Sequence, residues 1–192
     1  MDLLKKPGNT FLRRLLFGCL LLALGSYCVM QVALNHSGMD AGEFSASWNG
    51  SDAALIDEFH AGLISSGGFG DFAFANTIDY AYQFGLLGFS LAAMILLIRK
   101  QAVPEARKRV LLHLCWLCPF LYAQDAAETT LITITLGDPL HVPRWAAVLH
   151  PVFFYLLAGT LAVETVVMLA LAAGPIRSFS RRRAQERRIP RE

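Results

Sequence analysis

The sequence predicts an all-α membrane protein: a bundle of four transmembrane helices, with an outer interfacial amphipathic helix between helices one and two. Three observations carry that expectation. Only 17% of the residues are charged, against about 25% in a soluble domain, and the mean hydropathy is +0.45. The hydrophobic residues, 55% of the chain, gather in four long blocks. The basic residues fall almost entirely between alternate pairs of those blocks.

The blocks are about Leu15–Leu34, Thr77–Ile98, Val110–Leu136 and Trp145–Ala173. A spanning helix needs roughly 20 mostly apolar residues to cross a hydrocarbon core of about 30 Å. Inside lipid the backbone must hydrogen-bond to itself, which makes each block helical. The last two blocks exceed the minimum, so tilted or protruding ends are expected. The first apolar run is longer than the 7–15 residues of a signal-peptide core, so it reads as a retained anchor. Residues 1–176 form the membrane domain and 177–192 a basic tail.

Every Lys and Arg except Arg144 lies before the first block, between the second and third, or after the fourth. Short basic loops stay cytoplasmic, which puts both termini inside and residues 35–76 outside. A bacterial inner membrane is the expected location. The net charge of +2 hides this asymmetry, and nothing in the pattern points to nucleic acid.

In the outer segment, Asn35–Gly50 reads as a polar, irregular stretch. Ser51 and Asp52 then offer an N-cap for a helix running to about Ile64. Leu55, Ile56, Phe59 and Leu63 share one face of it, with Asp57, Glu58 and His60 toward the other. Such a helix lies on the bilayer surface or caps the bundle. Gly137, Pro139 and Pro143 make the loop 137–144 a tight turn, so helices three and four are antiparallel neighbours. The Arg-rich tail is expected to be disordered near anionic headgroups.

Ionisable groups within spanning helices are costly and usually face the interior of the protein. This chain has Asp79, Asp125, Glu128 and Glu164 at such positions. At 1.5 Å per residue, Asp125 and Glu128 lie about 24 and 28 Å beyond Arg109. Both are then in the outer half, and Asp79 falls in the first outer turn of helix two. Asp125 and Glu128, three apart, share a helix face, as do Asp79 and Gln83, four apart. Glu164 lies nearer the middle of helix four. Arg144 and His150, at the outer end of that helix, can neutralise part of the layer.

The candidate ligand-binding set is therefore Asp79, Gln83, Asp125, Glu128, Arg144 and His150. It suits a proton, a cation or a small lipophilic or amphipathic ligand. Two alternatives stand beside it. The acids can serve a lipid-modifying or isomerising enzyme as general acids, or they can be structural, hydrogen-bonding across helices. No ligand spacing calls for a metal, no motif calls for a cofactor, and the oligomeric state is left open. The inner halves of helices two and three hold few polar groups beyond Ser90 and His113, which argues against a simple channel.

Cys115 and Cys118 form a C-x-x-C, which invites comparison with four-helix membrane thiol oxidoreductases of the vitamin K epoxide reductase type. Those carry a second cysteine pair in the outer loop, and residues 35–76 contain no cysteine. Pro119, directly after the pair, is expected to loosen the helix. Asn35-His36-Ser37 and Asn49-Gly50-Ser51 match the short glycosylation acceptor pattern, whose specificity is low.

The order of features over roughly residues 51–137 resembles a group of bacterial four-helix membrane proteins. They carry an acid in helix two, here Asp79 in Thr77-Ile78-Asp79-Tyr80, and Asp-x-x-Glu-Asn in helix three, here Asp125-Ala126-Ala127-Glu128 with Thr129 in the Asn position. The group has no assigned reaction, so the resemblance implies a fold and a pair of acidic positions only. A weaker likeness is to the EXPERA group of sterol-binding and sterol-isomerising proteins, which also carry intramembrane acids. The spacing there does not map onto this chain residue by residue.

Overall fold

A computed structural model describes residues 7–186, with side chains as far as Gly174. Lys5, Lys6 and residues 187–192 lie outside the described residues. The elements are α1 (Asn9–Ser37), α2 (Ala41–Asn49), α3 (Ala53–Ser66), α4 (Phe69–Arg99), α5 (Glu105–Leu111), a 3₁₀ turn (Leu112–Trp116), α6 (Leu117–Leu136) and α7 (Arg144–Glu186). No strand occurs among the described residues. Four helical stretches are long and apolar enough to cross a membrane: Asn9–Ser37, Phe69–Arg99, Glu105–Leu136 and Arg144–Gly174.

The largest helix–helix contact pairs α1 with α4, and glycine makes it. A Cβ on Gly85 would stand 2.7 Å from the Ala23 backbone nitrogen and 2.9 Å from the Cys19 carbonyl oxygen. One on Gly88 would run into the Cys19 sulfur. Small residues let two backbones approach this closely, which is how apolar helices associate where no hydrophobic driving force separates them from lipid. At one end of the pair, Arg99 Nη1 donates to Asn9 Oδ1 and Nη2 to the Pro7 carbonyl, both at 2.7 Å. The start of α1 and the end of α4 are thus tied together. At the other end Gly68 abuts the Ser37 backbone, where a Cβ would not fit.

The α4 helix starts eight residues before the Thr77 expected from hydropathy. Gly67, at φ 79°, closes α3 in the left-handed region, and α4 begins directly afterwards. Its first turns carry Phe72 and Ala75, 1% exposed each, and Phe72 packs against α2 and α3. Asp79 therefore lies in the third turn of the helix rather than the first.

The stretch 35–50 is not irregular. Asp40 caps α2, its side chain accepting from the Glu43 N–H at 2.9 Å. The next helix, α3, is capped by Asp52 as the sequence indicates. Its buried face is Ile56, Phe59, His60 and Leu63, a strict i, i+3, i+4, i+7 stripe. Leu55, one residue off that stripe, is exposed, and His60 is completely buried; the expected placing of these two is reversed. The His60 ring pairs Nδ1 with the Pro139 carbonyl at 3.0 Å and packs edge-on against Trp48 and Phe69. Together with Trp48, Phe72, Ile132, Val142 and Ala147, these side chains form one apolar cluster over the ends of α4, α6 and α7.

Two prolines set the remaining geometry. Pro119 has no N–H for the carbonyl four residues back, and the 3₁₀ turn Leu112–Trp116 falls just before it, as the sequence suggested. Pro175 likewise leaves the Leu171 carbonyl without its helical donor, yet α7 continues to Glu186. Gln101 Nε2 supplies the missing donor, reaching Leu171 O at 2.6 Å. Gly174 makes room, since a Cβ there would strike the Gln101 amide. Residues 177–186 are accordingly helical, contrary to the disordered tail expected for them.

Two outcomes follow. Gly85→Ala forces a shift of backbone against backbone, and overpacking of this kind costs about 1–3 kcal/mol. Thermal unfolding in detergent should show that loss, while Gly159→Ala, with open space around it, should show none. Burial lowers the His60 pKa below its usual 6.5, the Pro139 bond and nearby Asp57 opposing in part. The folded state therefore binds fewer protons than the unfolded one below that value, and stability falls as the pH drops through it. The melting temperature should decline from about pH 7.5 to about pH 5.5, and His60→Phe should flatten the decline.

Candidate functional site

Helices α4 and α6 meet through a closed set of hydrogen bonds. Gln83 Nε2 donates to Asp79 Oδ2 at 2.6 Å and to Thr129 Oγ1 at 2.6 Å. Thr129 Oγ1 in turn donates to Asp79 Oδ2 at 2.7 Å. The amide has two N–H groups and the hydroxyl one, so each bond of the triangle has its own proton. Asp79 and Gln83 are one helical turn apart, as the sequence indicated, and both reach the same residue of α6. At the same level on the exposed side, the next residue of each helix adds a contact, the Tyr80 hydroxyl meeting Thr130 Oγ1 at 2.9 Å.

Asp125 and Glu128 sit within one turn of Thr129 on α6. With Asp79 they line a cavity of about 200 Å³. Asn76 and Thr129 add polar groups to its wall, and Met39 and Phe44 add apolar ones from the α2 region. One water takes about 30 Å³ of liquid, so this space exceeds what a single ordered water fills. The three carboxylates line the cavity without converging: among the described residues no group of three or more His, Cys, Asp and Glu is placed to hold a metal ion.

Glu128 also faces α7. Its Oε1 lies 3.1 Å from His150 Nε2, off the line an N–H donor would take. His150 is 1% exposed, its ring lies against Trp48 with centroids 4.7 Å apart, and its Nδ1 has no partner. Arg144 is elsewhere. It is exposed in the first turn of α7 and makes no ion pair with these acids among the described residues. Six residues separate it from His150, which puts it roughly 9 Å along the helix, toward the end. His141, near it, pairs with Asp138 in the exposed loop at 3.1 Å.

The structure thus brings together five of the six residues picked from the sequence and leaves Arg144 aside. It gives Thr129 a part that the motif comparison treated as a departure: in the Asn position, its hydroxyl ties Asp79 to α6. Trp48, which seats the His150 ring, had no signal in the sequence, because the stretch around it reads as polar loop. All four cysteines are free, with Cys115 and Cys118 buried. No family model, curated protein or solved structure matches the chain, so its function is read from its own residues.

If the triangle holds α4 to α6, a double-mutant cycle on Asp79→Leu, which removes the acceptor, and Thr129→Val measures it. Side-chain hydrogen bonds between helices in lipid average about 0.6 kcal/mol and reach about 1.7, and the coupling should fall at the upper end. A coupling near zero would mean that the triangle is not a tether.

Proposed function

We propose that the chain is an integral membrane protein, a four-helix bundle capped by α2 and α3, that binds a small cationic molecule among Asp79, Asp125 and Glu128. One observation carries this reading: three carboxylates from two apolar helices line a single cavity of about 200 Å³. Acids inside a spanning helix cost about 2.5–3.5 kcal/mol each on the insertion scale, and three in one cavity repel one another. A positive guest relieves that repulsion. Because the acids do not converge on a point, the guest suited to them is an organic ammonium or a hydrated ion rather than a bare metal.

The basic loops support an orientation with both termini in the cytoplasm of a bacterial inner membrane, so that the cavity opens on the outer side. The Asp-x-x-Glu that carries the family resemblance supplies two of the three acids. The hydrogen-bonded triangle favours a partly structural role for Asp79, and this second reading separates from the first by experiment. Enzymatic use of the acids would need a substrate carbon placed beside one of them, and no arrangement here singles out such a point.

The test is binding of methylammonium to the full chain in lipid nanodiscs, followed by ligand-observed NMR. Asp125→Asn should weaken binding about tenfold or more, equivalent to about 1.4 kcal/mol, with thermal stability held. Asp79→Asn should weaken it and destabilise the protein together. If both substitutions leave methylammonium binding unchanged, the acids are structural and the reading fails.

A further inference from the structure

Inward of the acid layer lies a second cavity of about 280 Å³, between α4, α6 and α7. Leu86, Leu121 and Met168 make much of its wall, and the polar groups are few. The most telling is Glu164 of α7, 4% exposed. Its Oε1 accepts from Cys118 Sγ at 3.5 Å, a weak donor. Its Oε2 has no partner, and it forms no ion pair among the described residues. Gln83, 1% exposed, lines the same cavity. Both of its N–H bonds go to the Asp79–Thr129 pair, which leaves Oε1 bare. Asp125 lines this cavity as well as the outer one.

A buried acceptor without a donor is destabilising, and more so if it is charged. Protonating Glu164 adds a single O–H donor to the cavity and no positive charge. The cavity therefore has no positive charge in its wall, its hydroxyls (Ser90, Tyr122 and Thr165) leave Glu164 Oε2 and Gln83 Oε1 unmet, and it has apolar volume to spare. A primary ammonium brings three N–H donors and one positive charge. A hydrocarbon body attached to it fills the apolar wall. The volume is just below the roughly 300–1,000 Å³ of drug-sized sites, so the molecule is small.

We propose that this cavity binds a small amphipathic amine, its ammonium on Glu164 and Gln83 and its apolar body among the leucines of α4 and α6. Access is sideways from the hydrocarbon: Leu161 and Leu169, also in the wall, are 52% and 65% exposed on the outer face of α7. Among the described residues, Leu12, Met94, Ile95, Ile98 and Leu171 close into an apolar cluster toward the Arg99 end. It does not rest on the outer-cavity reading, since Glu164 is absent from that cavity.

The experiment uses the full chain in nanodiscs with 2-phenylethylamine as probe, 2-phenylethanol as its neutral counterpart, and methylammonium as reporter of the outer cavity. Phenylethylamine should bind saturably and the alcohol at least about tenfold more weakly, about 1.4 kcal/mol. Glu164→Gln, which keeps the shape, should remove that preference. Leu161→Trp should block the probe by filling the cavity without touching charge, and it serves if Glu164→Gln does not fold. Equal binding of amine and alcohol, or binding unchanged by Glu164→Gln or by Leu161→Trp, overturns the proposal. Methylammonium binding that survives Glu164→Gln but not Asp125→Asn shows the outer site intact, so the two readings fail separately.

Discussion

The Asp79–Gln83–Thr129 triangle is the contact on which the rest of the molecule's polar interior depends. Apolar side chains set no register between two helices in lipid, since one leucine packs much like another and lipid is as good a neighbour. Two hydrogen bonds from α4 to the one Thr129 hydroxyl, with Gln83 and with Asp79, do set it. They fix which face of α6 meets α4, and Asp125, one turn from Thr129, then falls beside Gln83. The bare Gln83 oxygen that lines the inner cavity is the direct consequence, because the same amide cannot serve both sides with its N–H groups. A single arrangement thus places Asp79 on the cavity beneath the cap and leaves a Gln83 acceptor on the cavity that Glu164 lines.

The polar interior ends abruptly. Between Glu164 and the Arg99 end, α1, α4, the 3₁₀ turn, α6 and α7 contribute only apolar or sulfur-bearing side chains to a closed cluster. Toward the opposite end the cavities rise to the cap, where Met39 and Phe44 overhang the acids. Two bonds hold that cap to the α6–α7 loop: His60 to Pro139, and the Val142 N–H to Asp57 Oδ1 at 2.8 Å. Among the described residues the polar side chains thus gather toward the capped end and an apolar cluster closes the Arg99 end.

Much of this was legible from residue order. Hydropathy located four long helices to within a turn or so at most ends, and the spacing of Asp79 with Gln83 and of Asp125 with Glu128 located the acid faces. The misses have physical causes. Helix α4 starts early because its first turns are packed by the cap rather than by lipid, and hydropathy does not register that. Helix α2 was invisible because a nine-residue helix carrying Gly42, Ser45, Ser47 and Asn49 has weak propensity and is held by Trp48 and Phe44 from within. The end of α7 was misplaced because the apolar block stops at Ala173 and the Arg-rich stretch after it reads as a solvated tail, and only the fold shows Gln101 bonding the Leu171 carbonyl as the helix runs on. Arg144 was assigned by charge balance, which ignores that a surface guanidinium keeps its hydration.

The glycine contact between α1 and α4 bears on how the chain is built. Few other contacts hold α1, and much of its circumference is apolar and exposed. It can enter the bilayer as an independent helix as soon as it is made. It then has no surface to dock on until residues 69–99 follow. Insertion and docking are separate events for this helix, and the chain passes through a stage in which Cys19, Ala23 and Ser26 face lipid. The smallness of those three side chains serves both stages, since none of them costs much to leave in lipid and none of them obstructs Gly85 when it comes.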